Sequence, residues 1–171
     1  MRRVFLPVLL LILLAACSSS TPSPTPVSAT SFTIRRLATE RSVDDLVTAE
    51  PAEFTCTDEA LITLADLVHY DWESHTMTLT PEAAARLTAL DLVGTPFVVC
   101  VEETPVYVGV FWSSLFSLSY DGLVIDLLLL DSEPKLHLAT GYPESPEMFR
   151  GQDRRSDVRI WQALYAAGKV P

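Results

Sequence analysis

Asparagine is absent from the 171-residue sequence, so no N-glycosylation site exists. Basic residues are scarce: 12 Lys and Arg stand against 22 Asp and Glu, for a formal charge of −10. Phosphate recognition needs a basic face, so this balance excludes a nucleic-acid binder. Cysteine occurs three times, too few for a disulfide scaffold and wrongly spaced for a zinc finger. No G-x-S-x-G, H-E-x-x-H, P-loop or G-x-G-x-x-G pattern is present. Ser132-Glu-Pro-Lys135 matches S-x-x-K, but its partner motifs are missing and Pro134 marks a turn, not a helix. A membrane-length apolar run is also lacking. What is present is 49% hydrophobic residues and a mean hydropathy of +0.27, high for a chain so acidic.

Part of that hydropathy sits at the amino terminus. Arg2 and Arg3 precede an apolar run, Val4 to Ala16, interrupted by Pro7. As a helix these thirteen residues would rise about 20 Å, short of the roughly 30 Å hydrocarbon core. The stretch therefore reads as a signal peptide over 1–16. It closes on Leu14-Ala15-Ala16-Cys17, which resembles the bacterial lipobox. That resemblance implies cleavage before Cys17 and lipidation of its thiol, with palmitate-type chains anchoring the protein in a cell membrane, its domain on the extracytoplasmic side. Ser18 to Ser31 holds six Ser, three Thr and three Pro, so 17–31 reads as a lipidated Cys and a disordered tether. At about 3.1 Å per residue the tether spans roughly 40 Å.

Residues 32–171 remain for a single domain, large enough to bury a core without a staple. Loss of 1–16 removes two Arg and no acid, leaving 10 basic against 22 acidic residues, or −12. Periodicity predicts strands at 32–37, 67–70, 76–79, 97–101, 106–112, 123–130 and 135–139. A short helix or turn is expected within 57–66. Thr80-Pro81-Glu82 opens a helix that runs to Leu92 and stops at Gly94. Ser156 is expected to cap a last helix, with Ile160, Trp161, Leu164 and Tyr165 on its apolar stripe. The fold class is α+β, with a mainly antiparallel sheet and a C-terminal helix.

Asp66-Leu67-Val68, Met77-Thr78-Leu79-Thr80-Pro81-Glu82-Ala83-Ala84, Val93-Gly94 and Phe97 to Val101 resemble the periplasmic head of the protein-export subunit SecD. The resemblance spans Asp66 to about Phe111 and implies a ferredoxin-like βαββ piece. The family's Asp-Gly hairpin turn is replaced by Glu102-Glu103-Thr104-Pro105, and its transmembrane helices have no counterpart here.

Four groups of residues are candidates for chemistry. His69, Asp71, Glu73 and His75 alternate, so an extended strand would put two imidazoles and two carboxylates on one face. Tyr70 and Trp72 alternate with them, which equally reads as a polar face in water over an apolar one, and no metal is expected. Cys56 and Cys100 are an even pair in an exported protein, and a disulfide is the expectation. Two buried thiols are the competing reading. Trp112 and Phe116 suggest an apolar rim. Arg150, Arg154 and Arg155, with Arg159, gather half of the mature arginines near the last helix, either as a partner patch or as internally paired charge. Together these features predict a non-enzymatic binding or interaction module with an envelope protein as partner, and no cofactor. A small envelope hydrolase or metal-dependent enzyme centred on His69 and His75 is the alternative.

Overall fold

The computed structural model describes residues 31–171. The signal peptide, Cys17 and the tether as far as residue 30 lie outside the described residues. The strands are β1 (Phe32–Arg36), β2 (Ala60–Thr63), β3 (Leu67–Asp71), β4 (Thr76–Leu79), β5 (Pro96–Val101), β6 (Thr104–Trp112), β7 (Tyr120–Asp126) and β8 (Lys135–Tyr142). The helices are α1 (Val43–Leu46), α2 (Pro81–Thr88) and α3 (Val158–Ala166), with 3-10 turns at Pro51–Glu53 and Leu64–Asp66. All eight strands form one sheet in the order β2-β1-β5-β6-β7-β8-β4-β3. Every pairing is antiparallel except β6 with β7. The molecule is thus an α+β domain with a mostly antiparallel sheet and a C-terminal helix, as expected.

The period-two stretches at 97–112 are apolar on both faces because both faces are covered. On one face Phe97, Val99, Phe111, Ile125 and Leu138 pack with α2 and α3, through Leu87, Ile160 and Leu164. On the other face Val98, Cys100, Val110, Trp112 and Val124 pack with Leu46 and Val47 of the α1 region. Each such side chain, fully buried, contributes about 1.5–3 kcal/mol relative to exposure. The β5–β6 turn keeps two residues, Glu102 (φ 50°) and Glu103 (φ 63°), in the left-handed region that hairpin turns of this length require.

Several boundaries differ from the sequence expectation. The 57–66 stretch ends in the expected short helical turn, Leu64–Asp66, but also holds a strand, β2, which pairs with β1 at the sheet edge (Ile34↔Ile62). β7 begins at Tyr120 and ends at Asp126, because the Asp126 carboxylate accepts the Leu128 N–H at 2.9 Å and turns the chain. α2 has its Thr80 cap, bonded to Ala83 N–H at 3.2 Å, but ends at Thr88. Leu92 then drops into the core, and Gly94 (φ 79°) makes the turn into β5. Asp157, not Ser156, caps α3 by accepting the Arg159 N–H at 2.9 Å. Trp161 and Tyr165 do not face the core; they stack on each other at 4.7 Å on the outside.

Candidate functional site

The alternating quartet is not one face. His69, Asp71 and Glu73 are exposed, whereas His75 is buried. The cause is the turn after β3: the Asp71 carboxylate accepts the N–H groups of Glu73 and Ser74, both at 3.0 Å, and His75 follows in left-handed backbone (φ 51°). Its ring is driven inward beside Tyr70 and Trp72. Among the described residues no group of three or more His, Cys, Asp or Glu converges as a metal site would require.

His75 instead belongs to a polar network that the sequence did not reveal. Tyr70 Oη lies 3.2 Å from its Nδ1, and Ser156 Oγ 3.5 Å from its Nε2. Behind it, Arg155 donates from Nε and Nη2 to Asp153 and from Nη1 to the Leu138 carbonyl at 2.8 Å. Glu144 lies 3.6 Å from Arg155 and bonds His137 Nε2 at 3.1 Å. Burial raises the cost of ionising Asp153, but the hydrogen bonds from Arg155 outweigh it, and the carboxyl titrates below its usual range. Ser156, His75 and Tyr70 follow the order nucleophile, base, orienting group. Neither Ser156 nor His75 lines the cavity described below, however, and what the network does is tie the 71–76 turn and β8 to the start of α3.

Burial, then the nearby Arg155 guanidinium, pushes the His75 pKa below its ordinary 6.5. The unfolded chain therefore binds more protons at His75 than the folded one just below pH 6.5. Stability rises with pH across that window and falls as acid protonates the ring. His75→Gln is expected to flatten this part of the pH–stability curve in urea titrations between about pH 5 and 7. An unchanged slope would exclude His75 as its source.

Cys56 and Cys100 form a disulfide, and Cys100 is buried within β5. The two residues of the expected apolar rim divide. Trp112 is a core residue, 6% exposed, stacked on Tyr120 at 5.7 Å and edge-on to Phe116 at 5.9 Å. Its Nε1–H is buried without a hydrogen-bond partner among the described residues. Phe116 is on the surface, as are Leu115 and Leu118 in the same β6–β7 connection. Leu128 and Leu129, also exposed, belong to the turn after β7. Leu127 N–H donates to the Trp112 carbonyl at 3.0 Å and Ser114 N–H to Asp126 at 3.3 Å, so the two apolar loops lie side by side. The sequence shows these leucines only as a run, Leu127 to Leu130, that looks like strand interior.

Each arginine of the C-terminal group has a carboxylate partner. Arg150 bonds Asp121, Arg154 bonds Glu50 at 3.2 Å, Arg155 bonds Asp153 and Arg159 bonds Asp157. Arg155 is enclosed, while Arg150 and Arg154 reach solvent. No helix of the described residues is long and apolar enough to cross a membrane. No family model, curated protein or solved structure matches the chain.

Proposed function

We propose that this protein is a lipid-anchored lipoprotein of the cell envelope whose domain is a non-enzymatic binding module for another envelope protein. The anchor would be Cys17, after the Leu14-Ala15-Ala16 run, with the Ser/Thr/Pro segment as spacer. The single observation supporting the binding role is the pair of apolar loops at one end of β6 and β7. Leu115 is 75% exposed and Phe116 44%, with Leu128 and Leu129 adjacent, and Phe116 lies edge-on to the Trp112 ring, whose indole N–H is unpaired among the described residues. Exposed apolar clusters of this kind mark contact surfaces, and an unsatisfied buried donor costs about 1–3 kcal/mol. A partner segment that offers apolar side chains would cover this cluster. The kinship to the SecD head is part of the same proposal: β4, α2, β5 and β6 follow its βαββ order along the chain, while three strands separate β4 from β5 in the sheet.

The test uses the native lipoprotein in its membranes, with a photo-crosslinking amino acid at Leu115 or Leu129 and, as control, at Glu82 on α2. One and the same protein is expected from the first two positions and not from the third. Phe116→Asp should abolish the adduct, and the partner in purified form should shift Trp112 fluorescence. Cys17→Ala should move the protein out of the membrane fraction. No reproducible adduct, or equal capture from Glu82, would remove the binding role. Membrane retention of Cys17→Ala would remove the anchor.

A further inference from the structure

β6 and β7 are paired only over Val110↔Val124, Phe111↔Ile125 and Trp112↔Asp126. Towards their other ends the strands part, and the gap is a cavity of about 150 Å³. Tyr107 and Val108 of β6 and Tyr120 and Leu123 of β7 line it. Two segments roof it. The 46–51 stretch is held by Tyr120 Oη, which donates to the Val43 carbonyl at 2.9 Å. The 149–154 loop is held by Arg150 N–H, which donates to the Asp121 carbonyl at 3.0 Å. Where a strand pair opens in this way, side chains from several distant segments converge on one concave space.

The chemistry of the lining is asymmetric. The walls are apolar and aromatic, with Leu46, Pro51, Leu123 and Phe149. The polar groups are mostly donors. Arg154 spends Nε and Nη2 on Gln152 and Glu50, leaving Nη1 without a bond among the described residues. Arg150 spends Nε on Asp121, leaving both terminal nitrogens. Tyr107 is 3% exposed. Burial pushes this phenol's pKa well up, so it is a neutral donor. Glu50 is the one carboxylate in the lining, and its side chain is 60% exposed, free to turn towards water. A cavity of about 150 Å³ takes a single benzene-sized body.

We infer that this cavity is a binding site for a small aromatic carboxylate, with its ring in the gap between β6 and β7 and its carboxylate at the mouth on Arg154 and Arg150. An acidic domain offers an anion few such places, and planar guanidinium donors match a carboxylate in pairs. This site is separate from the apolar loops and does not rest on the partner-binding proposal.

The test is titration of the full-length protein with phenylacetate, followed by calorimetry and by amide chemical shifts. Saturable one-to-one binding is expected, with a Kd of about 1 mM or tighter for so small a ligand. The shifts should centre on 46–51, 107–108 and 149–154. Benzyl alcohol, the same ring without the charge, should bind at least about tenfold more weakly, and so should phenylacetate to Arg154→Gln. Absence of saturation up to about 10 mM overturns the site, as does undiminished binding to Arg154→Gln when that variant unfolds at the wild-type temperature. Equal affinity for benzyl alcohol overturns the carboxylate assignment.

Discussion

Gly109→Ala is expected to cost more stability than any other single methyl group added to this sheet. Gly109 lies in the middle of β6, opposite Phe97 of β5. A Cβ there would sit 2.5 Å from Phe97 Cζ and 2.6 Å from the Leu123 carbonyl oxygen. The first contact could be relieved by a small ring movement, but Phe97 is fully buried and packs at 5.1 Å against Phe111, so it has little room. The second contact is with backbone, which cannot rotate away without breaking the β6–β7 pairing. Overpacking by one methylene usually costs about 1–3 kcal/mol. With backbone on one side, a loss of about 3 kcal/mol or more is expected, read as a lower urea midpoint in far-UV circular dichroism. Phe97→Leu in the same chain should recover only part of it, because the clash with the Leu123 carbonyl remains. Full recovery would show that the ring alone sets the limit. A loss below about 1 kcal/mol would mean that β7 shifts at little cost.

The second large effect concerns the Cys56–Cys100 disulfide, which closes a loop of 44 residues' separation. On the chain-entropy model that closure is worth about 4 kcal/mol, mostly by restricting the unfolded chain. It joins the irregular 54–58 segment to a central strand, and no other covalent link holds that segment down. Cys56→Ala with Cys100→Ala is expected to lower stability by about this amount in urea unfolding, with reductant then having no further effect. A difference below about 1 kcal/mol would place the bridge in a region already ordered in the unfolded ensemble.

Local physics made part of this structure legible. The Thr80-Pro81 start of α2 and the two-sided apolar strands β5 and β6 follow from capping and periodicity. β2 did not, because Leu61 and Ile62 are adjacent and both buried, so alternation is lost where the edge is covered. Arg86 of α2 reaches over that edge to the Leu61 carbonyl at 3.1 Å. The four leucines after Asp126 could not be divided by composition into strand and turn; the division comes from hydrogen bonds to one aspartate, from Ser114 and Leu128. The histidine quartet failed as a face because a single turn residue with positive φ reverses it. Neither the His75 network nor the β6–β7 cavity has a local signature. Both draw on residues about 80 to 100 positions apart, such as His75 with Ser156 and Glu50 with Arg154.

The strand order also sets the sequence of events by which the domain can assemble. The β3–β4 hairpin is complete early in the chain, yet its place in the sheet is beside β8, with Met77 opposite Leu136. β4 therefore has no neighbour on that side until almost sixty further residues have emerged. Tyr70 likewise waits for the carbonyl of Lys169, two residues before Pro171, which accepts its N–H at 2.8 Å. Contacts that close such long loops are slow to form, in the range of milliseconds to seconds. In a chain emerging from one end, the early hairpin would remain an open edge until its last strand and helix arrive. Shortening the protein from its carboxyl end past both α3 and β8 should thus leave this edge bare and the whole domain prone to aggregate.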